Sequence, residues 1–308
     1  MSDEDPVAGE VWFAQAVWAR AVEGSVPGIV ARVWDGTGPP PGPLDRVRAV
    51  VCLPSDSALV DALPRMPRLA LVQLLSAGYE QVVGRIPAGA VLCNARGVHG
   101  PAVAEWIVAA LLAARRGFPR MLAAQERGRW QPFATPGLAD AVVAIVGHGA
   151  IGEALARRLS GFEVEVLAFA RTPRDGVAAV EDLARDLPRV DALVLLVPGS
   201  PENTGLVDAA LLARMKDGAL VVNAGRGTVV DTDALVAEVR AGRLHAALDV
   251  VDPEPLPPGH PLWTLPGVIL SPHQAGNTDG ARRRTLALVC AQLERLRAQG
   301  ALENVVPA

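Results

Sequence analysis

The chain has 308 residues, enough for two domains of ordinary size, and half of them are hydrophobic, so a large core can form. Its net charge is −4, with acidic and basic residues mixed throughout. That balance lacks the basic stripe that binding to a phosphate backbone needs, and it argues against nucleic acid as a partner.

The opening residues, MSDEDPVAGE, are acidic and polar, unlike a secretory signal. Cys52, Cys93 and Cys290 lie far apart and form no metal-binding spacing. They read as reduced thiols of a cytoplasmic protein that holds no metal. Strands are predicted at 28–34, 48–53 and 69–75, with Pro and Gly punctuating 36–43 and 76–89. At Gly100 a helical pattern begins, with Pro101 in its first turn and Gly117 just past its end. Its most apolar run, 102–114, carries Glu105 and is too short to cross a bilayer. The helix is apolar on nearly every side (Val103, Trp106, Ile107, Ala110, Leu111, Leu112), which predicts burial, part of it in a homodimer interface through 101–116. Then AVVAIVGHGAIGEALARRL reads as strand, glycine turn and helix. Further strands are predicted at 164–169, 192–197, 219–223, 245–250 and 268–270, and one helix over the last 30 residues. Apolar strands alternating with helices predict parallel sheets covered by helices.

Within VGHGAIG, Gly147, Gly149 and Gly152 make a G-x-G-x-x-G pattern between a strand and a helix. The first two permit a tight turn near a pyrophosphate, and the third lets helix and strand pack closely. A dinucleotide site is therefore predicted over Gly147, His148, Gly149, Ala150, Ile151 and Gly152. The next strand ends at Ala170, where a carboxylate for an adenosine ribose is often found, and none is there. Arg171 and Thr172 follow, with Arg174 as a possible second charge and Asp175 as the nearest acid downstream. A planar guanidinium suits a 2′-phosphate, so NADP(H) is the expected cofactor, with NAD(H) possible. Arg226 projects from the turn in NAGRGTVVDTDAL, and Asp231 is a fitting cap for the following helix. Asp249 and Glu254 follow the next strand in ALDVVDPEPLPPGHPLW, and His273 follows another in SPHQAGN.

Taken together, these words resemble the D-isomer-specific 2-hydroxyacid dehydrogenases, in particular their glyoxylate/hydroxypyruvate reductase-like members. LLSAGYEQV and CNARGVHGPAVAEWIVAALLAARR fit earlier segments of that family, and the likeness covers about residues 70–300. The resemblance implies an α/β fold of two doubly wound parallel-sheet domains. Residues 99–275 would form a Rossmann cofactor domain, inserted in a flavodoxin-like substrate domain of 1–98 and 276–308. It implies His273 as general acid, Glu254 as the partner that orients it, and Arg226 as the donor to the substrate carboxylate. Ser76, Ala77 and Gly78 would bind the same carboxylate. Asp249 would meet the nicotinamide end, and Val197, Pro198, Ala224, Gly225 and Gly276 would complete the cofactor site. Two positions depart from the family pattern: Trp106, where histidine is frequent, and Tyr79, where smaller or polar residues are common. Among relatives of the same architecture, a formate dehydrogenase would carry glutamine at the place of Glu254, whereas a phosphite oxidiser would keep the acid. A nucleotide-sensing corepressor would need a partner groove or disordered tails rather than the Arg–Glu–His set.

Overall fold

A computed structural model describes residues 9–307; the acidic stretch of residues 1–8 lies outside them. The chain divides into two compact units, one holding the residues up to His99 together with those from Thr278 onward, the other Gly100–Asn277.

In chain order the first unit supplies β1 (Glu10–Phe13), α1 (Ala16–Glu23), β2 (Val30–Val33), β3 (Val47–Cys52), α2 (Ser57–Ala62), β4 (Leu71–Leu74) and β5 (Val91–Cys93). The second supplies α3 (Gly100–Arg115), α4 (Phe118–Glu126), β6 (Val142–Val146), α5 (Ala150–Leu159), β7 (Glu165–Ala170) and β8 (Ala178–Ala179). It continues with α6 (Leu183–Asp186), β9 (Ala192–Leu195), α7 (Ala209–Arg214), β10 (Leu220–Asn223), α8 (Thr232–Arg240), β11 (His245–Leu248) and β12 (Val268–Leu270). Finally α9 (Asp279–Arg297) returns to the first unit.

The first unit holds a sheet in the order β2-β1-β3-β4-β5, and every neighbouring pair is parallel. β1 and β5 are not among the strands that the sequence predicts. Both are short, and their identity as strands comes from a register with β3 and β4 that no local pattern shows. α9 carries Gln292, fully buried, whose Nε2 donates to Gln73 Oε1 of β4 at 3.0 Å. The expected 30-residue helix is corrected: α9 ends at Arg297. Gln299 adopts φ 52 and Gly300 follows, which breaks the helix. The remaining chain then lies antiparallel to β5, with a bridge from Val305 to Cys93. Its hold is further secured where Glu303 N donates to Gln292 Oε1 at 3.0 Å.

The second unit holds a seven-stranded parallel sheet, β12-β11-β10-β9-β6-β7-β8. Its central strands are apolar at nearly every position because both faces are covered. Ala144, Val146, Leu193, Leu195 and Val221 pack into one buried cluster. Their immediate neighbours Val143, Ile145, Ala192, Val194, Leu220 and Val222 pack into another, with α3 and α5. Each large aliphatic side chain buried in this way contributes about 1.5–3 kcal/mol of transfer free energy. Helix starts are capped as the sequence suggests: Asp231 accepts from Ala234 N at 3.0 Å at the start of α8. Asp208 does the same for α7, accepting from Leu211 N at 2.9 Å.

On α3, Val103, Ile107, Ala110 and Leu111 are buried inside this unit, whereas Trp106 and Leu112 are only partly covered. Exposed apolar side chains instead gather on α4, beyond the helix that the sequence marks as apolar: Phe118 is 52% and Leu122 55% exposed. Among the described residues no helix is long and apolar enough to cross a membrane.

Candidate active and cofactor site

In the second unit β6 is the strand from which the chain departs in both directions, with β7 on one side and β9 on the other. Ligands of open α/β sheets bind beyond the carboxyl end at such a point, and here that end opens into the glycine turn. Gly147 sits at φ 102, and a Cβ on it would lie 2.7 Å from the carbonyl carbon of Leu196. A Cβ on Gly152 would lie 2.5 Å from Gly147 O. Any side chain at either position would force the turn away from its neighbours. Gly149 is different: a Cβ there would meet nothing within 4 Å. It caps α5 without a side-chain hydrogen bond, so the helix begins beside open space at Gly149. A helix N-terminus with open space in front of it fits a pyrophosphate.

Two arginines border this turn. Arg174 Nη2 donates to the carbonyl oxygen of His148, lies 3.3 Å from His148 Nδ1 and pairs with Glu153 at 3.6 Å. Burial, and then the positive charge of Arg174, hold the His148 imidazole below its usual range. Arg171 pairs with Glu202 Oε1 at 3.2 Å; Thr172 beside it is exposed. The other bank is built by the loops after β9 and β10. Gly225 N donates to Asn223 Oδ1 at 3.1 Å, and a Cβ on Gly225 would lie 2.7 Å from Val197 O. Pro198 O accepts from Asn203 Nδ2 at 3.0 Å, and Ala224 N donates to Leu195 O.

Arg226, Glu254 and His273 lie in the loops that follow three neighbouring strands, β10, β11 and β12, in turn. His273 Nδ1 and Glu254 Oε1 are 2.7 Å apart, with side chains 53% and 42% exposed. His273 adopts φ 54, a left-handed conformation that an L-residue keeps only when its surroundings hold it. The holding group is Asp249, which is 4% exposed. Its Oδ1 accepts from Gln274 N at 2.7 Å and its Oδ2 from Ala275 N at 3.0 Å. The Ser271 hydroxyl donates to it as well, and Asp249 O accepts from His273 N at 2.9 Å. Losing that carboxylate would leave the buried Ala275 amide unpaired, at about 1–3 kcal/mol. Asp249, expected from the sequence at the nicotinamide end, thus has both carboxylate oxygens taken by the loop that carries His273. Gly276 follows directly on this loop, half-buried.

Arg226 stands on the adjacent strand end without touching the pair: its Nη1 donates to Gly225 O at 2.8 Å. Its turn is anchored where Asn223 Nδ2 donates to Arg226 O at 2.9 Å. Beside the His–Glu pair lies a cavity of about 490 Å³ walled by apolar groups of Val251, Pro255, Leu256, Trp263 and Leu270. In the first unit, Ser76 O, Ala77 O and Gly78 O accept from Ala95 N, Asn94 Nδ2 and Ser76 Oγ. Sequence reasoning missed Glu202, Glu153, Ser271 and Asn223. Glu153 could have been read from its place in the first turn of α5, but nothing local points to the other three.

A parallel sheet with a glycine turn at its switch point, opening a helix, defines a Rossmann unit suited to a dinucleotide. The profile of the family described as D-isomer specific 2-hydroxyacid dehydrogenase, NAD binding domain, matches residues 108–275. The chain belongs to the D-isomer specific 2-hydroxyacid dehydrogenases and is thus an oxidoreductase with a nicotinamide cofactor. It is 34% identical over 262 residues to a glyoxylate reductase of Thermofilum pendens, covering 80% of this chain and 77% of the relative. It is similar to the crystal structure of a D-isomer specific 2-hydroxyacid dehydrogenase from Xanthobacter autotrophicus in complex with NADPH and MES. That match has a TM-score of 0.82 and 30% identity, over 97% of this chain and 98% of the other. An NADPH-dependent glyoxylate/hydroxypyruvate reductase of Sinorhizobium meliloti, in complex with NADP and malonate, matches with a TM-score of 0.82. Its identity is 27%, with 97% of each chain covered.

Proposed function

We propose that the protein catalyses the NADPH-dependent reduction of a small 2-keto acid, of the glyoxylate or hydroxypyruvate kind, to the D-2-hydroxy acid. The observation that carries this reading is the 2.7 Å hydrogen bond between His273 Nδ1 and Glu254 Oε1. With Nδ1 engaged, the ring's other nitrogen, Nε2, is the atom that delivers a proton to the substrate carbonyl oxygen. The Glu254 carboxylate holds Nδ1 and so orients the ring. When bound, the reduced nicotinamide supplies the hydride. Arg226 offers its two-donor fork to the substrate carboxylate. Asp249 holds His273 in register. A panel of 2-keto acids assayed with NADPH and NADH tests the reading; turnover of none of them overturns it.

The cofactor preference rests on Arg171, Thr172 and Arg174, with no carboxylate at Ala170 to repel a 2′-phosphate. Of the similar solved structures, one is a complex with NADPH and another is an NADPH-dependent reductase. Arg171→Ala is expected to weaken NADPH about tenfold, in line with a charge-assisted hydrogen bond of about 1.5–3 kcal/mol discounted for exposure, and to leave NADH nearly unchanged. Ala170→Asp is expected to shift the preference towards NADH. Binary dissociation constants measured by fluorescence check both; equal losses for the two cofactors in Arg171→Ala would show that the arginine does not read the phosphate.

The protein is also proposed to act as a homodimer. Phe118, Met121 and Leu122 of α4 are exposed and follow directly on α3, whose Trp106 and Leu112 are partly open. Exposed apolar side chains grouped in this way support an interface. Light scattering at micromolar concentration is expected to give about twice the 32.1 kDa chain mass; a monomer would exclude the dimer.

A further inference from the structure

We propose that Glu202 is a specificity-determining residue of the cofactor site: its carboxylate occupies the Arg171 guanidinium until a 2′-phosphate displaces it, so that it penalises NADPH and spares NADH. The inference rests on the assignment of Arg171 to the 2′-phosphate and adds a competitor to it.

Arg171 follows the last residue of β7, and Glu202 lies in a short 3-10 turn, Pro201–Asn203, beyond β9. β6 runs between those two strands. The Arg171–Glu202 ion pair, at 3.2 Å, therefore joins loops on either side of the strand end that opens into Gly147. It spans the crevice where the adenosine end of a dinucleotide is expected. Glu202 is not a free surface acid. Its carboxyl is held below its usual range first by its own backbone amide, then by the Ser200 hydroxyl, with Arg171 adding to this. Those local bonds set its place before any nucleotide arrives.

The pair is weak enough to exchange. The Arg171 side chain is 83% exposed and that of Glu202 54%, and exposed pairs alter equilibria by about two- to fivefold. A phosphate with nearly two negative charges and three acceptor oxygens is a stronger partner for a planar guanidinium. Once it is bound, Glu202 stands as a like charge beside it. NADH brings no such group, and with NADH the arginine keeps its carboxylate. Arg174 differs, since it is tied to the glycine turn through His148 as well as to Glu153.

The test is the binary dissociation constant of NADPH and of NADH, read by cofactor fluorescence at low and at physiological ionic strength. Wild type, Glu202→Gln, Arg171→Ala and the double variant are compared. Gln keeps an acceptor for Ser200 and removes the charge. Glu202→Gln is expected to tighten NADPH about two- to fivefold at low salt, less at high salt, with little change for NADH. The gain is expected to vanish in the Arg171→Ala background. Unchanged or weaker NADPH binding in Glu202→Gln overturns the proposal, as does equal tightening of both cofactors or a gain that survives without Arg171. If Arg171→Ala loses NADPH selectively while Glu202→Gln does nothing, the competitor falls and the phosphate reading stands. If Arg171→Ala weakens both cofactors alike, the phosphate reading itself falls, and the competitor falls with it.

Discussion

His273→Ala is expected to lose two to four powers of ten in keto-acid reduction, about the contribution of a positioned general acid, while the binary complex with NADPH keeps its affinity. The separation follows from the geometry. His273 faces Glu254 and the apolar cavity at the ends of β11 and β12, whereas the glycine turn belongs to β6, three strands away from β12's neighbour in the sheet order. Glu254→Gln is the milder companion. It keeps an acceptor beside Nδ1, so the ring stays oriented, but the charge-assisted partner is gone, and a smaller loss of rate than in His273→Ala is expected. Steady-state rates of both variants decide the matter. An unchanged rate in the two would remove the pair from the chemistry.

Arg226→Lys is expected to cost about ten- to a hundredfold in kcat/KM, the order of about 1.5–3 kcal/mol for a hydrogen bond to a charged group. Lysine keeps the positive charge, so a purely long-range role would survive the change. The planar fork does not survive it. The Arg226 turn is held by Asn223 and packed against the chain after β11: a Cβ on the neighbouring Gly227 would lie 1.9 Å from Val251 O. The backbone therefore cannot shift to bring a shorter reach into place. Raised substrate KM with lowered kcat and unchanged NADPH affinity is the expected pattern. A loss confined to NADPH affinity would make Arg226 a cofactor ligand instead.

Much of the second unit is legible in its amino-acid order alone. Parallel strands covered on both faces must be apolar at consecutive positions, and β6, β9 and β10 are. A glycine that must avoid the Leu196 carbonyl has no substitute, so Gly147 announces its turn. Helix caps such as Asp231 act within three residues, and a linear reading reaches that far. The first unit is harder. β1 and β5 are four and three residues long, and they become strands only by pairing with partners distant in sequence. The end of α9 escapes prediction because the tail beyond it gains its bonds from β5 and Gln292, which no helix rule weighs.

The site divides along the same line. The sequence determined the types of its chemical groups: a glycine turn before a helix, an arginine after one strand, an acid and a histidine after the next two, and no acid at Ala170. Those features are local, since each depends on a few consecutive residues and on the strand they follow. Tertiary structure alone decided which charges face one another. It placed Glu202 against Arg171, 31 residues away, and Arg174 on His148. It also turned Asp249 inward to three donors of the His273 loop. The physical reason is that a hydrogen bond or ion pair depends on distances of about 3 Å, and only the sheet order brings these loops that close.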